Sequence, residues 1–287
     1  MVVRKKYQMN WGRHRLLLGD RTLIMGVVNV TPDSFSDGGL FFGCDQAIAR
    51  GEALAAQGAD LIDVGGESTR PFAEPLPVEE EKERVIPVVR ELARRLALPI
   101  SVDTTKAAVA RAALENGAAL VNDISALRFD PEMTAVVRDF QVPVILMHMQ
   151  GTPRDMQRRP DYRDLLAEVH AFFEERLERC GADRIPPERL ILDPGLGFGK
   201  TLQHNLTLIK RLDSFQDLDC PLLVGASRKS FIGRLTGREN PLDREWGTGA
   251  TTALAAWQGA HILRVHEAGP AREILAVTDA LREAPEK

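Results

Sequence analysis

Short, mainly apolar runs recur along this chain, each ending on polar residues or glycine and most followed by a longer stretch with apolar residues at helical spacing. The runs are LIMGVVNV (23–30), LIDVGG (61–66), PISVD (99–103), ALVNDI (119–124), PVILMHM (143–149), LILD (190–193), PLLVGA (221–226) and HILRVH (261–266). They read as strands, and Leu190, Ile191 and Leu192, with no polar alternation and so no face for water, as one that is fully buried. The stretches between them predict helices over Asp45–Gln57, Val78–Ala97, Lys106–Asn116, Pro131–Phe140, Tyr162–Cys180, Asn205–Leu212, Asp243–Gln258 and Ala271–Arg282. Gly58 and Gly117 fall where helices commonly end. Residues 13–25 read as two short strands joined at Gly19-Asp20, a hairpin forming an N-terminal plug. Eight strand–helix units in 287 residues predict one α/β domain over 1–287, a (β/α)8 TIM barrel with a short N-terminal β-hairpin. An open, doubly wound sheet is the runner-up.

In such a barrel the chemistry gathers at the carboxyl ends of the strands. Those ends carry Asn29, then Glu67-Ser68-Thr69-Arg70, Asp103, Asn122-Asp123, His148, Asp193, Ser227-Arg228-Lys229-Ser230, and Arg264 with His266. After Asp193 the chain runs Pro-Gly-Leu-Gly-Phe-Gly-Lys, so it must leave the sheet at once and can let a ligand approach its backbone. Two phosphate motifs are near misses there: a P-loop would need glycine where Pro194 stands, and a dinucleotide fingerprint would need glycine where Lys200 stands.

Asp103, Asn122 and Asp193 come from three strands toward one mouth. They make a poor metal cluster, having no histidine at ligand spacing. They suit a flat nitrogen heterocycle, whose adjacent N–H groups a carboxylate accepts while an amide serves both a donor and an acceptor. Lys229, Arg264, Arg70 and His266 add positive or titratable groups that suit an anionic leaving group such as diphosphate, although each alone reads equally well as an ordinary ion pair. Lys229 lies just beyond its strand, more like a clamp than a buried Schiff-base nucleophile. His148, within LMHMQG, reads as a packed rim histidine. The first loop, NVTPDSFSDGG (29–39), offers Asp33 and Asp37 for a cation and Phe35 for an aromatic ring.

Bulk properties narrow the partners. A formal net charge of −4 argues against nucleic acid and for a small molecule. The three cysteines, Cys44, Cys180 and Cys220, show neither zinc spacing nor a disulfide framework, which fits a reducing cytoplasm. The basic N-terminus has only a three-leucine apolar run, and no stretch is long enough to span a bilayer, so a soluble cytoplasmic protein is expected, with no membrane partner.

The motifs MGVVNVTPDSFSDGG, IDVGGESTRP, SVDT, VNDIS, LMHMQG, LDPGLGFGK, GASRKSF and RVH, in this order from about Met25 to His266, closely resemble those of the dihydropteroate synthase family. The resemblance implies a (β/α)8 barrel, a homodimer, and a transferase that joins p-aminobenzoate to 6-hydroxymethyl-7,8-dihydropterin diphosphate. Diphosphate leaves and 7,8-dihydropteroate forms, in folate biosynthesis. Sulfonamides compete for the p-aminobenzoate position. By the same resemblance Asp103, Asn122, Asp193 and Lys229 bind the pterin, Thr69, Arg264 and His266 meet its diphosphate, and Asn29 is the Mg2+ ligand. Phe35, Arg70, Phe198 and Ser230 surround p-aminobenzoate. Phe72 departs from the family pattern, standing where glycine is expected. The implied mechanism is dissociative: the electron-rich ring bears the positive charge left on its exocyclic methylene, the aromatic amine attacks, and no protein nucleophile is needed. The rivals are a methyltetrahydrofolate-dependent methyltransferase, which has no use for groups around a diphosphate, and a non-catalytic pterin-binding barrel, in which those groups should have decayed.

Overall fold

The computed structural model describes residues 3–31, 39–68 and 74–285, those of 39–42 in backbone only. The chain opens with an antiparallel pair, β1 (Tyr7–Trp11) and β2 (His14–Leu18), registered Trp11 on His14 and Tyr7 on Leu18. Eight parallel strands follow: β3 (Leu23–Asn29), β4 (Leu61–Gly65), β5 (Ile100–Asp103), β6 (Leu120–Asp123), β7 (Val144–Met147), β8 (Leu190–Asp193), β9 (Leu223–Val224) and β10 (Ile262–Val265). All eight lie within the apolar runs of the sequence. Their order is β8-β7-β6-β5-β4-β3-β10-β9. A parallel bridge between Leu192 and Leu222, with the Leu192 N–H donating to the Pro221 carbonyl at 2.9 Å, joins β8 to the segment leading into β9. The sheet therefore closes into a barrel, which excludes the open doubly wound alternative.

The helices are α1 (Gly39–Ala56), α2 (Val78–Arg95), α3 (Ala107–Glu115), α4 (Met133–Phe140), α5 (Leu165–Ala182), α6 (Leu202–Lys210), α7 (Ser230–Thr236), α8 (Glu245–Trp257) and α9 (Ala268–Glu283). In α2 the apolar residues Val85, Val88, Val89 and Leu92 recur at helical spacing and are buried against β4 and β5. Helix α6 starts earlier than the pattern predicts because Thr201 accepts the His204 N–H and the His204 ring accepts the Thr201 N–H, a reciprocal cap. Helix α7 was not expected: its seven residues are too few to show periodicity. Among the described residues no helix is long and apolar enough to cross a membrane.

The hairpin lies elsewhere than predicted. Its turn is Gly12-Arg13, with Gly12 at φ +50°, and not Gly19-Asp20. The signal was the strict alternation of Tyr7, Met9 and Trp11 with Gln8 and Asn10, a period-two pattern with one buried face. Gly19 serves a different purpose: a Cβ there would lie 2.4 Å from the Lys5 carbonyl oxygen. Met9, Trp11, Leu16 and Leu18 are buried into the main core, and the Trp11 indole N–H donates at 2.6 Å to the carbonyl of Ala119, just before β6 begins. The hairpin thus covers the amino ends of the barrel strands, opposite the candidate chemistry.

Trp11→Ala removes a buried indole and leaves the Ala119 carbonyl without its donor, so it is expected to destabilise the fold by about 3–5 kcal/mol. Denaturant unfolding checks this. A loss below about 1 kcal/mol would mean that the hairpin lies on the barrel without sealing it.

Candidate active site

The carboxyl end of the barrel holds a polar network built from five strands. The Arg264 guanidinium on β10 donates from Nε to Asp63 Oδ2 at 2.6 Å and from Nη2 to Asp103 Oδ2 at 2.8 Å. Asn122 on β6 donates from Nδ2 to the same Asp63 oxygen at 2.9 Å. Asp63 on β4 was missed by the sequence reading, yet it is the acid in the middle of an otherwise apolar strand, and a fully buried carboxylate there demands a partner. Its other oxygen has no hydrogen-bond partner among the described residues. Burial pushes Asp103 up to about 7, against the pull of Arg264 and with the repulsion of Asp63. Burial also works against the charge of Arg264, but Asp63 and Asp103 outweigh it and hold the guanidinium well above its ordinary range.

On the opposite side of the mouth, Asp193 ends β8 buried, its Oδ1 accepting the Gly195 N–H at 2.7 Å. Burial raises its pKa, opposed first by that N–H and then by Lys229, Arg264 and Lys200. Lys229, beside the start of α7, places Nζ 4.1 Å from the centroid of the Phe198 ring. Burial and the nearby Arg264 push it down to about 8, while Asp193 and Asp103 favour its charge. Gly197 allows this approach, since a Cβ there would meet the Lys229 side chain at 3.1 Å and its φ is +81°. Phe198 itself packs among Ile124, Met147, Met149 and Met156.

The mouth is therefore two-sided, with acids and an amide in one array and cations held against them. Such an array can bind a flat heterocycle through N–H donors and stabilise an anion leaving from its edge. The sequence-predicted residues distribute as follows. Asp103, Asn122, Asp193, Arg264 and Lys229 belong to this one network, linked by contact or by charge. His266 is half-buried beside it, with Nδ1 2.9 Å from Ser227 Oγ, and burial together with Arg264 pushes it down to about 3, so its ring is neutral. Ser230 begins α7, exposed, and Asn29 ends β3, also exposed. Arg228 turns away, to Glu245 at 2.7 Å and Glu267 at 2.9 Å. Phe35, Thr69 and Arg70, like Asp33, Asp37 and Phe72, lie outside the described residues.

No group of three or more His, Cys, Asp or Glu gathers to hold a metal ion among the described residues. Asn29, which ends β3 exposed, carries a hard amide oxygen of the kind that suits Mg2+.

Comparison with known proteins matches residues 25–266 to a family described as pterin binding enzyme. A dihydropteroate synthase of Synechocystis is 48% identical over 263 residues, 92% of this chain and 91% of that protein. The structure of Xanthomonas albilineans dihydropteroate synthase with 4-aminobenzoic acid superposes with a TM-score of 0.92 at 47% identity, covering 98% of this chain and 100% of that one. The same enzyme in complex with 7,8-dihydropteroate gives a TM-score of 0.88 at 45% identity, covering 97% and 100%.

A raised carboxyl pKa in the folded state binds its proton more tightly than the unfolded chain does. Its contribution to stability is thus complete below about pH 4 and lost as pH rises through about 7. Asp103→Asn is expected to remove that loss, so the variant gains on the parent protein as pH rises from about 4 to 8. Denaturant melts at both ends of the range check it; parallel stability curves would show that Asp103 titrates as an ordinary carboxylate.

Proposed function

This chain belongs to the dihydropteroate synthase family of pterin-binding enzymes, and on that premise we propose how its mouth divides the work. It is a transferase of folate biosynthesis that makes 7,8-dihydropteroate from p-aminobenzoate and a dihydropterin, as the motifs led one to expect. The dihydropterin enters as its 6-hydroxymethyl diphosphate. The observation that carries this reading is the joining of Asp103, Asn122, Asp193, Arg264 and Lys229 in one charged array at the carboxyl ends of the strands.

The pterin lies against Asp103, Asn122 and Asp193, with Lys229 above the ring. Thr69, Arg264 and His266 face the diphosphate, and Asn29 would hold a Mg2+ that, when bound, neutralises part of its charge. Phe35, Arg70, Phe198 and Ser230 surround p-aminobenzoate, with the Ser230 hydroxyl meeting its carboxylate. The C–O bond to the diphosphate breaks with its electron pair leaving on oxygen, and the cation spreads from the exocyclic methylene into the ring. Asp103 and Asp193, as carboxylates, stabilise that cation, while Lys229 and Arg264 favour the departing anion. The arylamine nitrogen then forms the new C–N bond and loses a proton. Proximity and fixed charge suffice, and no covalent enzyme intermediate is called for.

The enzyme is proposed to work as a cytoplasmic homodimer. Free thiols at Cys44, Cys180 and Cys220 support the compartment. The dimer is supported by the outer faces of the packed pair α8 and α9, which expose the large apolar side chains Trp246 at 94%, Leu254, Val277 and Leu281. Trp246→Lys is expected to shift the protein to monomer in sedimentation experiments, and an unchanged dimer would move the interface to another face.

Lys229→Ala should lower turnover by about two to three orders of magnitude, the scale of one preorganised electrostatic donor. Diphosphate release in the presence of p-aminobenzoate measures it, and near-parental rates would count against the assigned role.

A further inference from the structure

Lys200 closes the loop after β8, behind the residues that meet substrate. The residue is 3% exposed, a burial tolerated for a charged side chain only when the charge is well satisfied. Nζ lies 2.9 Å from the Phe198 carbonyl, 3.0 Å from His148 Nδ1 and 3.3 Å from the His148 carbonyl, so all three protons are used. An ammonium only donates, so Nδ1 of His148 is the acceptor. Burial, with Lys200 and Arg128 adding to it, pushes the imidazole down to about 2 and keeps it neutral.

The loop is pinned from its other sides as well. The Tyr162 hydroxyl donates to the Gly199 carbonyl at 2.9 Å, Gln157 Nε2 donates to the Gly197 carbonyl at 2.7 Å, and the Gly197 N–H donates to Asn205 Oδ1 at 2.7 Å. A Cβ on Gly195 would lie 2.0 Å from the His148 carbonyl oxygen, so the loop rests directly on the end of β7. One end of this clamped segment is Asp193; near the other is Phe198, whose ring supports Lys229. Burial pushes Lys200 down to about 7; of the charges facing it, Asp193 favours its protonation and Lys229 opposes it.

We propose that Lys200 is a positioning residue for dihydropteroate synthesis: through Phe198 and His148 it fixes the loop that presents Asp193 to the pterin, and it stands as the counter-charge behind that carboxylate. His148 is its seat, not a catalyst. The inference rests on the reading of this mouth as the synthase site.

Lys200→Met keeps the length and removes the donors. Calorimetric titration with 6-hydroxymethylpterin across about pH 5 to 9 is the test. Asp193 is faced by Lys229, Arg264, the Gly195 N–H and Lys200. Without Lys200 it ionises less readily, so the acid limb of pterin binding should move about one pH unit higher. Affinity at neutral pH should fall about tenfold. KM for p-aminobenzoate should rise with a smaller change in kcat, because Phe198 loses its anchor. His148→Gln, whose amide oxygen accepts from the lysine, should remain close to the parent, while His148→Leu should reproduce the rise in KM.

A folded Lys200→Met protein with the parental pH profile and KM, altered only in melting temperature, overturns the proposal, as do His148→Gln and His148→Leu proteins that behave alike. If Lys200→Met does not fold, the His148 pair decides. A parent protein that binds no pterin would sink the reading of the site itself, whereas a parent that binds pterin alongside insensitive variants overturns only the role of Lys200.

Discussion

One cation holds the mouth of this barrel together. Arg264 bridges Asp63 and Asp103, two buried carboxylates whose charges it offsets together. The strand order puts β4 two places and β5 three places from β10. In a flat sheet, three strand spacings are about 14 Å, farther than a guanidinium reaches. Closure through the Leu192–Leu222 bridge curls the sheet until these ends face one another across a common interior. The ion network thus depends on the barrel being closed, and closure brings together residues up to 201 positions apart.

A buried network of this kind is a poor source of stability, because desolvation offsets most of what the pairing returns. Its value lies in the chemistry. A reaction that parts a cationic ring from an anionic leaving group needs both signs of charge, fixed before the bond breaks. Here burial pushes Asp103 up and Lys229 down, while Arg264 favours the charge of the carboxylate and Asp193 and Asp103 favour that of the lysine. Packing fixes the other cation: Phe198 sits between its methionine neighbours and the Lys229 ammonium, and the glycine-bearing loop below is held by side chains from several elements.

Fixed backbone does much of this positioning. Asp193 spends an oxygen on the Gly195 N–H, which orients its carboxylate before any substrate arrives. Arg228 holds a left-handed φ of +60° beside Lys229, kept there by Glu245, Glu267 and the Thr248 hydroxyl that takes its N–H. A non-glycine residue in that region persists only when its surroundings over-determine it, and here they do.

The linear chain determined whatever depends on near neighbours. Eight short, mainly apolar runs read as strands, and Asp103, Asn122 and Asp193 stand out because each lies at or near the carboxyl end of such a run. Family motifs from Met25 to His266 sharpened the chemistry further. The hairpin turn was misplaced because the Gly19-Asp20 pair outweighed a fainter two-residue alternation over Tyr7–Trp11, and α7 escaped because seven residues show no period. Only the tertiary structure decided that Asp63 partners Arg264 and that Lys200 rests on His148. The first pairing follows from the curl of the closed sheet and the second from β7 and β8 lying side by side, spatial relations that no local pattern of residues encodes.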